Sequence, residues 1–382
     1  NLAYEGGSGT LANNISLADG TTFTVTTNNN GTLTLTGNVS GTGQIEVTDG
    51  SSLAFNKSGL TYAGNLIGSG TVAISGTTRL TGDNSAFAGT LNVHTLTYLN
   101  GPQSSSGLAD YNVNHTMVAI ASGEQTFALG SLSGTGTVRP SAESANNSKI
   151  TVKVGGNNND TVFDGAIASY LSGNLGVGLL KTGTGMLTLT KNLHEQLDTD
   201  VNVIPYSLGT TVEDGILKIA STAVIGTQNG DDLVLVKETS ASGSDTPPGI
   251  ILEGTIHGRL QIEGQLILDF TDDSYQDIVG ILDGELLFGA NASLDIWTDD
   301  TEELNRDMRY TLQADNTEAA LSKMLELYDA GVLAGSFADI WSIGLVDGNL
   351  VFAVDPAKVP EPATWLLLLG SLVGIVVLRK RK

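Results

Sequence analysis

The sequence contains no cysteine at all. That excludes a disulfide framework, thiolate chemistry and cysteine-ligated metals. Aromatic residues make up only 5% of the chain, and no aromatic-rich run of the kind that lines a sugar subsite is visible. Cations are scarce: 18 Lys and Arg stand against 41 Asp and Glu, and the net charge is −23. Four of those cations are the last four residues, which leaves the body with 14 and a net charge of −27. Such a body repels nucleic acid and anionic lipid surfaces, so no nucleic-acid partner is expected. It does not repel divalent cations or neutral glycans. The four histidines, His94, His115, His194 and His257, are scattered and fall in no metal-ligand or nucleophile spacing. No Gly-x-Ser-x-Gly elbow and no phosphate loop occurs. The Gly-x-Gly pairs precede strand-like segments rather than helices, which argues against a dinucleotide site.

What the chain has instead is glycine, 48 of 382 residues, with abundant Thr, Ser and Asn. Val, Ile and Leu are too frequent for disorder. Through residue 230 one theme recurs. A Gly-x-Gly turn precedes a short strand that alternates Thr or Ser with an aliphatic residue. Gly41-Thr42-Gly43 leads into Gln44–Val47, Gly68-Ser69-Gly70 into Thr71–Ile74, Gly134-Thr135-Gly136 into Thr137-Val138, and Gly183-Thr184-Gly185 into Met186–Leu189. Each strand is too short to bury its own apolar face. Stacked rungs would bury Leu33, Leu35, Ile45, Val47, Val72, Ile74, Leu187 and Leu189 in one column, with Thr and Ser outward. The expected fold is all-β, a right-handed parallel β-helix. The corners recur at intervals of 27, 66 and 49 residues, which excludes a strict-period repeat and leaves a tandem of β-sandwiches as the alternative.

Leu180-Lys181-Thr182-Gly183-Thr184-Gly185-Met186-Leu187-Thr188-Leu189, followed by Gly209-Thr210-Thr211-Val212-Glu213-Asp214-Gly215-Ile216-Leu217, resembles the autotransporter-associated β-strand repeat. Val154–Asn158 leading to Phe163–Ile167 looks like the approach to it. The resemblance spans about 65 residues and implies the β-helical passenger region of a surface protein. Leu193–Asp198 departs from the usual turn, and no β-barrel follows in the sequence.

From Asp231-Asp232 the chain becomes acidic, with 14 acids and 3 arginines between residues 251 and 310. Strands are expected at Leu233–Val236, Leu260–Ile262, Gln265–Leu268, Glu285–Phe288 and Ser293–Trp297. Glu318–Ala330 reads as a helix with Ala320, Leu321, Met324, Leu325 and Tyr328 on one face. Trp341–Leu345, the Asp347-Gly348-Asn349 turn and Leu350–Val354 read as a closing hairpin. The expected organisation is a solenoid over 1–230, an acidic strand-rich cap over 231–354, a linker with its motif over 355–362, a transmembrane helix over 363–378 and a basic cytoplasmic tail over 379–382.

The end of the chain is the most specific segment. Val359-Pro360-Glu361-Pro362 precedes sixteen uncharged residues, Ala363 to Leu378, and then Arg379, Lys380, Arg381 and Lys382. Sixteen helical residues cover about 24 Å, a minimal span for a hydrocarbon core of roughly 30 Å. Trp365 suits one interface and the cations the other. Moving each cation against the potential costs roughly 2.3 kcal/mol per 100 mV, so the basic end stays in the cytoplasm and the body lies outside. The arrangement resembles the PEP-CTERM sorting signal of Gram-negative bacteria. That resemblance implies recognition of Pro360, Glu361 and Pro362 by an exosortase-type membrane protease, with Arg379, Lys380, Arg381 and Lys382 as the topology signal and lipid contacting the helix. An ordinary single-pass anchor is the simpler alternative. The chain starts at Asn1 without Met or a hydrophobic leader, as expected of a mature or truncated form.

Two further patterns invite chemistry. Gly155–Val162 superficially resembles one turn of a calcium-binding β-roll, which would need consecutive copies. Asp272-Asp273, Asp277, Asp299-Asp300, Glu302 and Glu303 are oxygen clusters for which solvated loop acids are the simpler reading. Paired carboxylates also suggest a polysaccharide lyase or hydrolase on a β-helix, but such a site needs cations beside its acids to hold an anionic polymer, Lys and Arg are sparse, and no aromatic-rich subsite run is visible. The expectation is therefore a non-enzymatic, exported structural or adhesive surface protein, in contact with exopolysaccharide. It carries no catalytic residues, no metal and no cofactor, and the carbohydrate-active enzyme is its alternative.

Overall fold

The computed structural model describes residues 2–170, 175–191, 203–205, 208–226, 232–238, 247–271, 277–297, 309–329 and 341–354. Within them the chain winds as a parallel β-solenoid. Six sheets form, and the longest contains thirteen strands in near-sequential coils from Gly9–Leu11 to Leu286–Phe288. Its register is in line. Leu33 faces Leu53, Leu53 faces Val72, Val72 faces Leu91 and Leu91 faces Tyr111. Lower down, Val234 faces Leu260, which faces Leu286. Each coil therefore advances 19 residues between Leu53 and Leu91, and 26 between Val234 and Leu286. Described strand pairs are parallel except Ala166–Tyr170 with Val203–Pro205 and the two pairs of the closing hairpin. A β-sandwich needs antiparallel sheets, so this pairing removes that alternative.

The strands form for the reason their alternation suggests. Thr32–Leu35, Gln44–Val47, Thr71–Ile74 and Met186–Leu189 all alternate half-exposed and buried positions. The eight aliphatic residues named as a column above are all buried in one continuous core. They do not form one stack, however. Leu33 and Val72 belong to the thirteen-stranded sheet, Ile45 to a four-stranded sheet and Leu187 to a six-stranded one. The core is the shared interior of three faces. Full burial of each such side chain contributes about 1.5–3 kcal/mol, enough for a cysteine-free shaft to stand on stacking alone.

The Gly-x-Gly turns sit where the chain passes from one sheet to the next, but at different corners. Gly68 precedes entry into the long sheet, whereas Gly134 and Gly183 follow exit from it. Their irregular spacing follows from that. Gly68 has φ +93°, and a Cβ there would lie 2.2 Å from the carbonyl oxygen of Val47 on the rung above. Only glycine lets adjacent rungs approach so closely at a left-handed corner.

The compositional shift at residue 231 does not end the ladder. Leu233–Val236, Arg259–Ile262 and Leu286–Phe288 extend the same long sheet, so the coils run well past the boundary expected at 230. Acidic residues changed the outside of the coils and left the inward row apolar. The cap proper is smaller. It comprises the helix Thr317–Asp329 and an antiparallel hairpin of Trp341–Val346 and Asn349–Val354, which extends the sheet containing Arg309–Gln313. Asp347 and Gly348 both have positive φ, as a two-residue hairpin turn requires. The helix buries Thr317, Ala320, Met324 and Leu327, while Leu325 is exposed. The expected stripe was thus rotated: the short helix seals the end of the shaft along a narrow i, i+3, i+7 line. The side chain of Tyr328 lies outside the described residues.

Gly20 has φ +72° with open space around it, so it separates backbone strain from rung crowding. Gly20→Ala is expected to cost about 1 kcal/mol from the left-handed backbone alone. Gly68→Ala should cost clearly more, since the Val47 rung must move. Urea unfolding of the two variants side by side checks the difference.

Candidate functional site: the sorting tail and the charged seams of the shaft

The closing hairpin is the platform from which the C-terminal tail departs. Val354, the last described residue, pairs with Trp341 at the open end of the hairpin. Three contacts lock the platform to the coils. Tyr310 donates from its hydroxyl to the carbonyl of Leu252 and packs edge-on against Phe352, with ring centroids 6.1 Å apart. Thr317 Oγ1 donates to Gly348 O at 2.7 Å, tying the helix to the turn. The Asn316 side chain accepts from Leu286 N at 2.8 Å and donates to Leu286 O at 2.9 Å. Pro360, Glu361, Pro362, the segment 363–378 and Arg379, Lys380, Arg381 and Lys382 all lie outside the described residues. No described helix is long and apolar enough to cross a membrane.

Two lysines in the shaft have environments that the sequence reading missed. Lys181 is 1% exposed, on the inward row between Val154 and Val212. Its Nζ donates to the carbonyls of Thr182 and Gly183, each at 2.8 Å, and of Asp214 at 3.2 Å. Burial pushes its pKa down to about 8, against the opposing pull of Asp214 and Asp160. Those carbonyls belong to the corner of its own coil and to that of the next. The ammonium therefore substitutes for water at two glycine-rich turns. Parity could have revealed this, because Val177, Leu179 and Lys181 share one side of their strand. The two halves of the repeat-like stretch prove to be successive rungs: Lys181 faces Val212, and Leu187 faces Leu217.

Lys218 lies on an outer face and bridges Glu253 and Asp269, at 2.8 Å each. Burial works against its charge, but the hydrogen bonds it donates to both carboxylates outweigh this and hold its pKa above the usual lysine value. Burial likewise works against the Asp269 charge, and bonds from Lys218 and Thr271 reverse it, leaving that carboxyl below its usual range. A carboxylate held ionised by an ammonium is poorly suited to act as a general acid. The arrangement stitches three coils together.

The β-roll-like stretch also serves as stitching. Asn157 and Asn159 donate to Asp110 Oδ1 at 2.6 and 3.0 Å, which Ser131 also engages. Asn158 Oδ1 accepts from Thr184 N, and Asp160 Oδ1 from Met186 N. Among the described residues, no three His, Asp or Glu side chains gather as a metal site. His257 Nδ1 lies 2.9 Å from Asp283 Oδ2, and His194 is outside the described residues. So are Asp272, Asp273, Asp299, Asp300, Glu302 and Glu303, together with the side chain of Asp277.

Residues 358–382 match the PEP-CTERM protein-sorting motif. That match marks the chain for export and membrane-associated sorting toward the cell surface. The motif begins four residues beyond Val354, so its attachment point is the cap rather than the middle of the shaft. No curated protein and no solved structure matches the chain.

Because Lys181 has its pKa lowered in the fold relative to an unfolded value near 10.4, its burial penalty is complete below about pH 8. Above that the unfolded state holds the extra proton, so stability should rise as pH climbs from about 8 toward 10. Thermal melts of the native chain and of Lys181→Met across that window check the sign. The variant should lack the rise.

Proposed function

We propose that this chain is an exported structural or adhesive element of the cell surface, released from or retained at the membrane by exosortase processing of its tail. The observation that carries the reading is the sorting motif at 358–382, placed directly after a sealed solenoid end. On this reading Pro360, Glu361 and Pro362 form a stiff, extended recognition stretch, because proline resists helix propagation and fixes φ. Segment 363–378 inserts in the inner membrane, and Arg379, Lys380, Arg381 and Lys382 hold its end in the cytoplasm. The shaft stands outside and presents rows of Thr, Asn and Ser. Asn112 already bonds Asn92 on the rung above and Asn114 beside it, at 3.2 and 3.0 Å. Neutral hydroxyl and carboxamide rows on an acidic body suit contact with exopolysaccharide better than with a polyanion. The similarity of 180–217 to the autotransporter-associated repeat supports the passenger-like role.

The experiment is intact-mass analysis of the cell-associated and released protein in the native host. The released form should end near Pro360. A triple substitution of Pro360, Glu361 and Pro362 by alanine should leave the tail uncleaved and the protein in the membrane fraction. An intact tail in every fraction of the native protein would reject processing. Retention on surface polysaccharide, measured by pull-down, tests the adhesive part separately.

A further inference from the structure

The contacts of Lys218 go beyond charge pairing. Its strand, Ile216–Ile219, is followed in the six-stranded sheet by Gly249–Leu252 and then by Gln265–Asp269. The lysine reaches across the middle rung to Asp269, 51 residues away in sequence, and meets Glu253 just past the end of that rung. An amine nucleophile, a carboxyl carbon and a second carboxyl group thus stand together on one outer face.

Their surroundings exclude water to a degree unusual for an outer face. Ile216, Ile251 and Ile267 form an apolar cluster separate from the core, with Trp297 packed against it. Lys218 pairs in register with Ile251, and Asp269 with Trp297. The side chains of Glu253 and Asp269 are only 13% and 8% exposed. The two oxygens of Asp269 are also held differently. Oδ2 lies 2.8 Å from Lys218 Nζ, whereas Oδ1 accepts from the Thr271 amide at 3.1 Å and from its hydroxyl at 2.7 Å. Two donors converging on one carboxyl oxygen suit a developing oxyanion, and the other oxygen faces the nucleophile.

We propose that Lys218 Nζ and Asp269 Cγ join in an isopeptide bond, with Glu253 carrying the proton. The ion pair is the resting form, and burial works against both of its charges. One proton passes along the Nζ–Oδ2 hydrogen bond and leaves a neutral amine beside a neutral carboxyl group. The nitrogen lone pair attacks Cγ, and the donors of Thr271 meet the negative charge that develops on Oδ1. Glu253 takes a proton from the nitrogen and returns it to Oδ2, which departs as water. Ammonium and carboxylate become amide and water, and Glu253 ends as it began. The driving force is position: well-oriented intramolecular reactions reach effective molarities of about 10⁵–10⁸ M. A chain without cysteine thereby gains a covalent staple across three coils.

Tryptic mapping of the denatured full chain tests this independently of the tail. Trypsin does not cut at an acylated lysine, so residues 192–237 should appear joined to residues 260–306. The joined species should weigh one water less than the two peptides together, and fragmentation should place the bond on Asp269. Separate peptides ending at Lys218 throughout the folded native chain overturn the proposal, and so does a bond from Lys218 to Glu253. Lys218→Arg keeps the cation and cannot condense. It should lose the joined species and migrate more slowly than the native chain on a denaturing gel. Glu253→Gln removes the proton carrier, and after refolding its joined species should form at least tenfold more slowly. An unchanged rate in a Glu253→Gln chain with native far-UV circular dichroism overturns the mechanism. Should that variant fail to fold, the native map decides alone.

Discussion

Side-chain parity in register-matched parallel strands governs this molecule. A rung of three or four residues has one inward row, and that row is stable only when the rungs above and below present inward rows of their own. Leu53 needs Leu33 and Val72, and Val234 needs Leu260. A slip by one residue would turn every one of these outward. The corners inherit the same constraint. The chain must change sheet without pushing the next rung away, and the left-handed glycine at position 68, within van der Waals range of the carbonyl of Val47, is the local consequence.

The two buried or half-buried lysines show how such a stack tolerates charge. An inward ammonium is costly unless it replaces the hydration it loses. Lys181 does so with three carbonyls from two coils. Lys218 takes the other route, on the outer face, and balances two carboxylates from later coils. Each crosslinks coils distant in sequence, and both groupings occur in a chain that has no disulfide to do so.

The sequence made the strands legible because their period of two is local. Ser293–Trp297 and the closing hairpin were readable to within a residue or two for that reason. The coil length was hidden, because it depends on which corner each Gly-x-Gly occupies, and that is a property of the stack. The change at residue 231 misled because charge reports the outside of a coil, whereas pairing is decided inside it. The helix face was misjudged at Leu325 because a cap thirteen residues long touches the shaft along one narrow line. Of the functional residues, the tail was legible as a linear motif. Lys181 was not, although its parity with Leu179 was on view; a lysine between apolar rows looks like an outward residue until the rung above it is known.

The tail and the shaft obey different physics, and this explains how they can be joined. A sorting motif is read along an extended chain, so it needs no tertiary contacts of its own. A solenoid needs its last rung sealed, or it ends in a reactive edge. The helix Thr317–Asp329 and the bond from Thr317 to the turn carbonyl of Gly348 seal two faces before the tail begins. The outermost hairpin strand pairs at Trp341 with Val354, the residue from which the tail departs. The described coils and hairpin therefore end at Val354, four residues before the sorting motif begins, and the motif asks nothing of their packing.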